Sequence, residues 1–242
     1  MRTKGHALAL TACAALALSG CNTNWPGKPH PESRELRPEE VKDFAELYGH
    51  NCSGCHGPDG KGGVALALAN PVYLAIADDE TIRRVMSNGV RGTAMPAFAR
   101  EAGGRLTGDQ INVLVREIRS RWSRPDAVGG AAPPAYRADA AGEAARGEAT
   151  FQTFCVSCHG AGGKGGPKGS SVVDGSYLAL VSDQGLRATV IAGRPDLGQP
   201  DWRGYIAGRP MSSQEVSDVV AWLASKRPRY PGQPHPSPSP SP

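Results

Sequence analysis

Cys52-Ser53-Gly54-Cys55-His56-Gly57 returns about 104 residues later as Cys155-Val156-Ser157-Cys158-His159-Gly160. A string this specific, recurring once, marks a duplicated unit. The same register extends outward on both sides. Tyr73-Leu74-Ala75 returns as Tyr177-Leu178-Ala179, and Asn88-Gly89 is echoed by Ala192-Gly193. The run from Leu106 to Trp122 is echoed by Met211 to Lys226. The Gly-rich strings Gly60-Lys61-Gly62-Gly63 and Gly163-Lys164-Gly165-Gly166 follow the two cysteine motifs.

Each copy has one coarse plan. A first helix is predicted over Pro38 to Tyr48 and over Ala141 to Phe154, just before the cysteines. A middle helix starts near Asp78 or Ser182, both good N-caps, and stops at Gly89 or Gly193, as a left-handed C-terminal residue would. A last helix is signed by Thr107 with Gln110, and by Ser212 with Glu215, each spaced as a capping box. Leu106 with Ile111, and Met211 with Val216, have the spacing of a hydrophobic staple. No stretch alternates as a strand would. The expected fold class is all-α, with two tandem helical domains.

The chain has 242 residues, with abundant Gly and Pro and modest hydrophobic content, which suits small loop-rich domains better than one large core. It starts with Arg2 and Lys4, then an apolar run from Ala7 to Leu18 that is short for a membrane span and has the shape of a signal peptide. The run ends Leu18-Ser19-Gly20-Cys21, which resembles the lipobox of bacterial lipoproteins, where the cysteine is acylated. Cys21 is thus the expected lipid anchor. Cys13 lies in the segment that would be removed, so Cys21 would have no disulfide partner. Without Arg2 and Lys4, 25 basic residues face 23 acidic ones, and no basic nucleic-acid patch stands out. The expected organisation is a signal peptide over 1–20, a flexible tether over 21–37, domains over 38–122 and 141–227, a linker over 123–140, and a disordered Pro-rich tail over 228–242.

Cys-x-x-Cys-His is the spacing of c-type haem attachment. Two thiols add across the haem vinyl groups, and the adjacent histidine faces the iron. Zinc is the main competitor for paired cysteines, but a histidine follows directly in both copies, and the pairs belong to separate repeats. Thioredoxin-like chemistry would need a βαβ setting, which is absent. The cofactors expected are two haem c groups, held by Cys52 and Cys55 with His56, and by Cys155 and Cys158 with His159.

On these motifs each half resembles a class I cytochrome c domain, over about Pro38 to Arg121 and Ala141 to Arg227. In copy two, Gly147-x-x-x-Phe151-x-x-x-Cys155 matches the family's first-helix pattern, whose glycine lets the last helix cross closely. Copy one has Phe44 at the glycine position and Tyr48 at the aromatic one, which implies a wider or rearranged crossing there.

The resemblance also implies a methionine as the second axial ligand, on a loop before the last helix. Copy one supplies Gly92-Thr93-Ala94-Met95-Pro96, with Met95 39 residues after His56. Copy two reads Gly193-Arg194-Pro195-Asp196-Leu197-Gly198-Gln199-Pro200, which sets Gln199 at the methionine position. Three readings stay open there: Gln199 binds through its oxygen, the iron is open or holds water, or Met211 reaches it. Arg194 and Arg203 are candidates for the haem propionates, and Lys61 and Lys164 for a docking surface.

The expected function is a membrane-tethered dihaem electron carrier in an envelope redox chain of a bacterium, not itself an enzyme. Its expected partners are redox proteins of the membrane or envelope, with no nucleic acid and no small-molecule substrate. The alternatives are a haem enzyme or gas or peroxide sensor using a weakly ligated second iron, and a haem subunit of a dehydrogenase or oxidase complex.

Overall fold

The computed structural model describes residues 35–228. The chain divides at Pro38, and both repeats lie in the unit that begins at Glu39. The helices of copy one are α1 (Phe44–Asn51), α2 (Ser53–His56), α3 (Pro71–Ile76), α4 (Asp79–Asn88) and α5 (Gly108–Trp122). Those of copy two are α6 (Ala144–Phe154), α7 (Val156–His159), α8 (Gly175–Leu180), α9 (Asp183–Ala192) and α10 (Ser213–Ser225). Among the described residues there is no β-strand, only isolated bridges such as Arg194 with Gln199. None of the described helices is long and apolar enough to cross a membrane.

The first helices are shorter than expected, for a local reason in each copy. Pro38–Glu40 forms only a 3-10 turn. Asp43 then takes an extended conformation and accepts from the Glu46 amide at 2.8 Å, so the α-helix starts after it. The Val41 carbonyl is engaged by Gln110 Nε2 of α5 instead of by a helical amide. In copy two, residues 141–143 lie along α10. Gln214 Nε2 donates to the Ala141 carbonyl, and a Cβ on Gly142 would lie 1.9 Å from the Ser217 carbonyl oxygen.

Asp78 and Ser182 cap α4 and α9, and both capping boxes are formed. Leu106, Ile111, Met211 and Val216, the two staple pairs, are all buried. Gly89 and Gly193 do have positive φ, but with ψ near 180°, so they turn the chain into an extended segment and do not form a left-handed cap. The short helices α3 and α8 were not read from the sequence. Their caps are Asn70, whose Oδ1 accepts from Val72 and Tyr73, and Asp174, which accepts from Tyr177.

The two helix crossings differ as the sequence implied. In copy two, α6 and α10 meet at Gly147, and Phe151 stacks on Trp222 with centroids 4.5 Å apart. In copy one, Phe44 fills the crossing, 5.4 Å from the Tyr48 ring and 5.8 Å from Trp122, with Arg121 over its face.

Residues 123–140 are not a loose connection. The Ala127 carbonyl accepts from Arg203, the Ala135 carbonyl from Arg187, and the Tyr136 carbonyl from Gln184. The connection is thereby pinned along copy two. Cys21 and the proline-rich residues after Pro228 lie outside the described residues.

Candidate haem sites

The two motif helices, α2 and α7, are built alike. Each follows directly on the end of the first helix, and its C-cap glycine, Gly57 or Gly160, has positive φ. A Cβ on Gly57 would lie 1.8 Å from the Lys61 carbonyl oxygen, and one on Gly160 2.2 Å from that of Gly165. Glycine therefore lets the following loop fold back against the motif.

That loop fixes the histidine. His56 Nδ1 lies 2.7 Å from the Leu66 carbonyl oxygen, and His159 Nδ1 lies 2.8 Å from that of Ser170. A carbonyl can only accept, so Nδ1 carries the proton and the Nε2 lone pair is left for a metal. Burial, and to a lesser degree the nearby Arg194 charge, pushes His56 below the ordinary imidazole pKa and keeps it neutral. All four cysteines are free thiols. Burial pushes Cys52 and Cys155 up to about 12, so both stay protonated thiols at neutral pH. Among the described residues no three His, Cys, Asp or Glu side chains gather as a metal site. Paired thiols with an imidazole presenting a free Nε2 fit a haem c in each repeat.

The Met95 loop is tied down by its own atoms. Thr93 Oγ1 accepts from the Met95 amide and donates to the Val90 carbonyl, while the Val90 amide donates to the Met95 carbonyl. Beyond it, the Phe98 amide donates to the Met86 carbonyl at the end of α4. In copy two, the Trp202 amide likewise returns to Ile191 near the end of α9. The Val90 amide to Met95 carbonyl bond has its counterpart in the Arg194 amide to Gln199 carbonyl bond, so Gln199 takes the place of Met95 in the loop. Gln199 Nε2 donates to the Tyr205 hydroxyl at 2.8 Å, and Tyr205 donates to the Val190 carbonyl at 3.0 Å. With its nitrogen so engaged, Gln199 has its amide oxygen left as a donor atom. Met211 lies in the core at 2% exposure, its amide bonded to the Trp202 carbonyl.

Neither arginine is placed as a free propionate partner. Arg203 forms a two-point pair with Asp201, donates to Ala127 and lies over the Trp202 ring. Arg194 forms a two-point pair with Asp196 and reaches copy one, donating to the carbonyls of Gly63 and Ala65. Lys61 and Lys164 are exposed. Sequence reasoning missed Tyr205, Asn70 and the bridging role of Arg194. The signal for the last was the departure from the repeat: Arg194 and Asp196 stand where copy one has Val90 and Gly92.

A thiol pair and an oriented histidine at one short helix and its N-cap, repeated in two helical units, define a c-type cytochrome with two domains in tandem, each carrying one covalently attached haem c. Both repeats are cytochrome c-type domains: residues 39–116 match the family model described as cytochrome c oxidase, cbb3-type, subunit III, and residues 144–226 match the one described as cytochrome c. It is 30% identical over 170 residues to the cbb3-type cytochrome c oxidase subunit FixP of Bradyrhizobium diazoefficiens, covering 66% of this chain and 53% of that protein. It is 28% identical over 124 residues to subunit CcoP of Azospirillum sp., covering 47% of this chain and 37% of that one. The chain thus spans about half or less of the length of these curated relatives. Among solved structures, a chain of a reducing HAO-like protein complex from Kuenenia stuttgartiensis gives a TM-score of 0.45 at 17% identity, over 80% of this chain and 98% of that one.

Proposed function

We propose that this chain is an electron-transfer protein of a bacterial envelope redox chain, tethered to a membrane through Cys21, and that it does not itself catalyse a reaction on a small molecule. The observation that carries the reading is the pair of oriented histidines, each with Nδ1 on a backbone carbonyl and each directly following a pair of free cysteines in sequence. Haem c supplies one-electron exchange at its iron. Cys52, Cys55, Cys155 and Cys158 would attach the haems, and His56 and His159 would bind their irons. Met95 would supply a thioether to the first iron, which would raise its potential and favour electron transfer. The similarity to FixP and CcoP favours the membrane-bound cbb3-type oxidase as the partner.

At the second site Gln199 would offer the haem only an amide oxygen, a weaker donor than a thioether. Met211 serves the core. A second reading, binding of a small gas or peroxide at that iron, rests on the Gln199–Tyr205 pair. Burial raises the Tyr205 pKa, so its hydroxyl stays protonated and is a poor base for peroxide chemistry.

Fractionation of cells making the exported chain tests the tether. Cys21→Ala should move the protein from the membrane to the soluble fraction, and retention in the membrane would reject that anchor. Reduction of the purified protein by a membrane quinol-oxidising fraction, and its oxidation by cbb3-type oxidase, test the carrier role. Failure of both reactions would reject it.

A further inference from the structure

The second domain reaches into both loops that flank the first haem site. On the histidine side, Arg194 Nη2 donates to the Gly63 carbonyl at 2.8 Å, and Nη1 to the Ala65 carbonyl at 3.0 Å. Asp196 accepts from two nitrogens of the same guanidinium and from the Gly62 amide at 2.8 Å. These atoms lie just before Leu66, whose carbonyl takes the His56 Nδ1 proton. The Ala65 amide in turn donates to the Cys55 carbonyl. On the methionine side, the Ala94 amide donates to the Leu180 carbonyl at the end of α8, one residue from Met95. Between the two, Asn70 Nδ2 donates to the carbonyls of Ala192 and Gly193, the latter next to Arg194.

The Arg194–Asp196 pair is unlike a surface ion pair. The two side chains are only 8% and 10% exposed, so holding them there needs every bond they make. A guanidinium has donors in a fixed fork, and here they span an aspartate and two carbonyls of another domain. The segment that bears Arg194 also bears Gln199, because the two backbones are paired by reciprocal bonds of 3.0 and 2.9 Å.

We propose that Arg194 is a positioning residue for the first haem, contributed by the second domain. It fixes the Gly63–Leu66 loop, and through the Leu66 carbonyl it sets the orientation and basicity of His56. Outer-shell bonds of this kind tune the ligand and through it the metal. The proposal rests on His56 and Met95 being the axial ligands of that haem.

The test is a redox titration of the full dihaem chain, following the absorption band that a methionine sulfur gives on ferric haem and so reporting the first site alone. Arg194→Leu combined with Asp196→Asn removes one positive and one negative charge, so the local net charge is kept while the fork is lost. A looser Leu66 contact makes His56 less basic. The expected result is a rise in the first potential, by about tenfold in the reduction constant or about 59 mV, with the second potential moving much less. Arg203→Leu with Asp201→Asn is the matching control on copy two and should leave the first potential in place. Arg194→Lys keeps the charge but not the fork, and should give a smaller rise even if the double variant does not accumulate with both haems. An unchanged first potential in Arg194→Lys, or in a folded double variant, would overturn the proposal. Absence of the sulfur band from the parent chain would instead reject Met95 as ligand.

Discussion

Gly147 of α6 lies directly against the backbone of Asp218 in α10: a Cβ added at Gly147 would sit 2.0 Å from the Asp218 carbonyl oxygen. No rotamer change relieves a clash with backbone, so the helices would have to part. Parting would also separate Phe151 from Trp222. Gly147→Ala is therefore expected to destabilise the second domain by about 3 kcal/mol, at the upper end of overpacking costs. Denaturant unfolding of the full chain checks this. The copy-one counterpart is Phe44, where Phe44→Ala should cost about 3–5 kcal/mol by leaving a cavity between Tyr48 and Trp122.

The same crossing supplies a pH dependence. Asp218 accepts from Arg146, from the Glu143 amide and from Gln214, with Glu143 itself also paired to Arg146. The Arg146 hydrogen bonds hold the Asp218 carboxyl below the usual carboxylate range, against the opposing effect of burial. A depressed folded value means that the ionised form favours folding. Its contribution is complete above the ordinary pKa of about 3.9 and is lost as the pH falls below that through the folded value. Asp218→Asn should lower stability at neutral pH and flatten its decline in acid. The slope of unfolding free energy against pH below about 4 reads this directly.

Much of this was legible in the sequence because the repeat supplied an internal alignment. Gly147 and the capping residues Asp78, Thr107, Ser182 and Ser212 each act through contacts within a few residues or one helix crossing, and sequence patterns carry such contacts well. Val41 to Asp43 did not continue a helix, because the Val41 carbonyl is taken by Gln110, 69 positions away. The engagement of Arg194 with Gly63 and Ala65 spans about 130 residues and two domains, and no local pattern encodes it. Tyr205 was missed although it lies only 6 positions after Gln199, because the turn that brings its hydroxyl back to that amide carries no pattern of its own.

Replacing Met95 separates ligation from packing. Met95 is only partly buried, so Met95→Leu should cost little stability. It should lower the first potential by tenfold or more in the reduction constant, about 59 mV for each factor of ten. A redox titration with the second haem as internal reference checks it.

Carbon monoxide separates the two irons. In the fully reduced chain, about half the haem should bind it promptly, at the Gln199 site, and Met95→Leu should raise that share. Absorbance after rapid mixing gives the fraction. If neither haem bound it promptly, the second sixth ligand would be firm.

The most direct test of a dihaem electron carrier is the haem content and redox titration of the exported chain. The expected result is two covalently attached haems per chain and two reversible one-electron steps, the higher one belonging to the His56–Met95 site. A chain with fewer than two haems, or with zinc on its cysteines, or with haem that does not cycle reversibly, would contradict it.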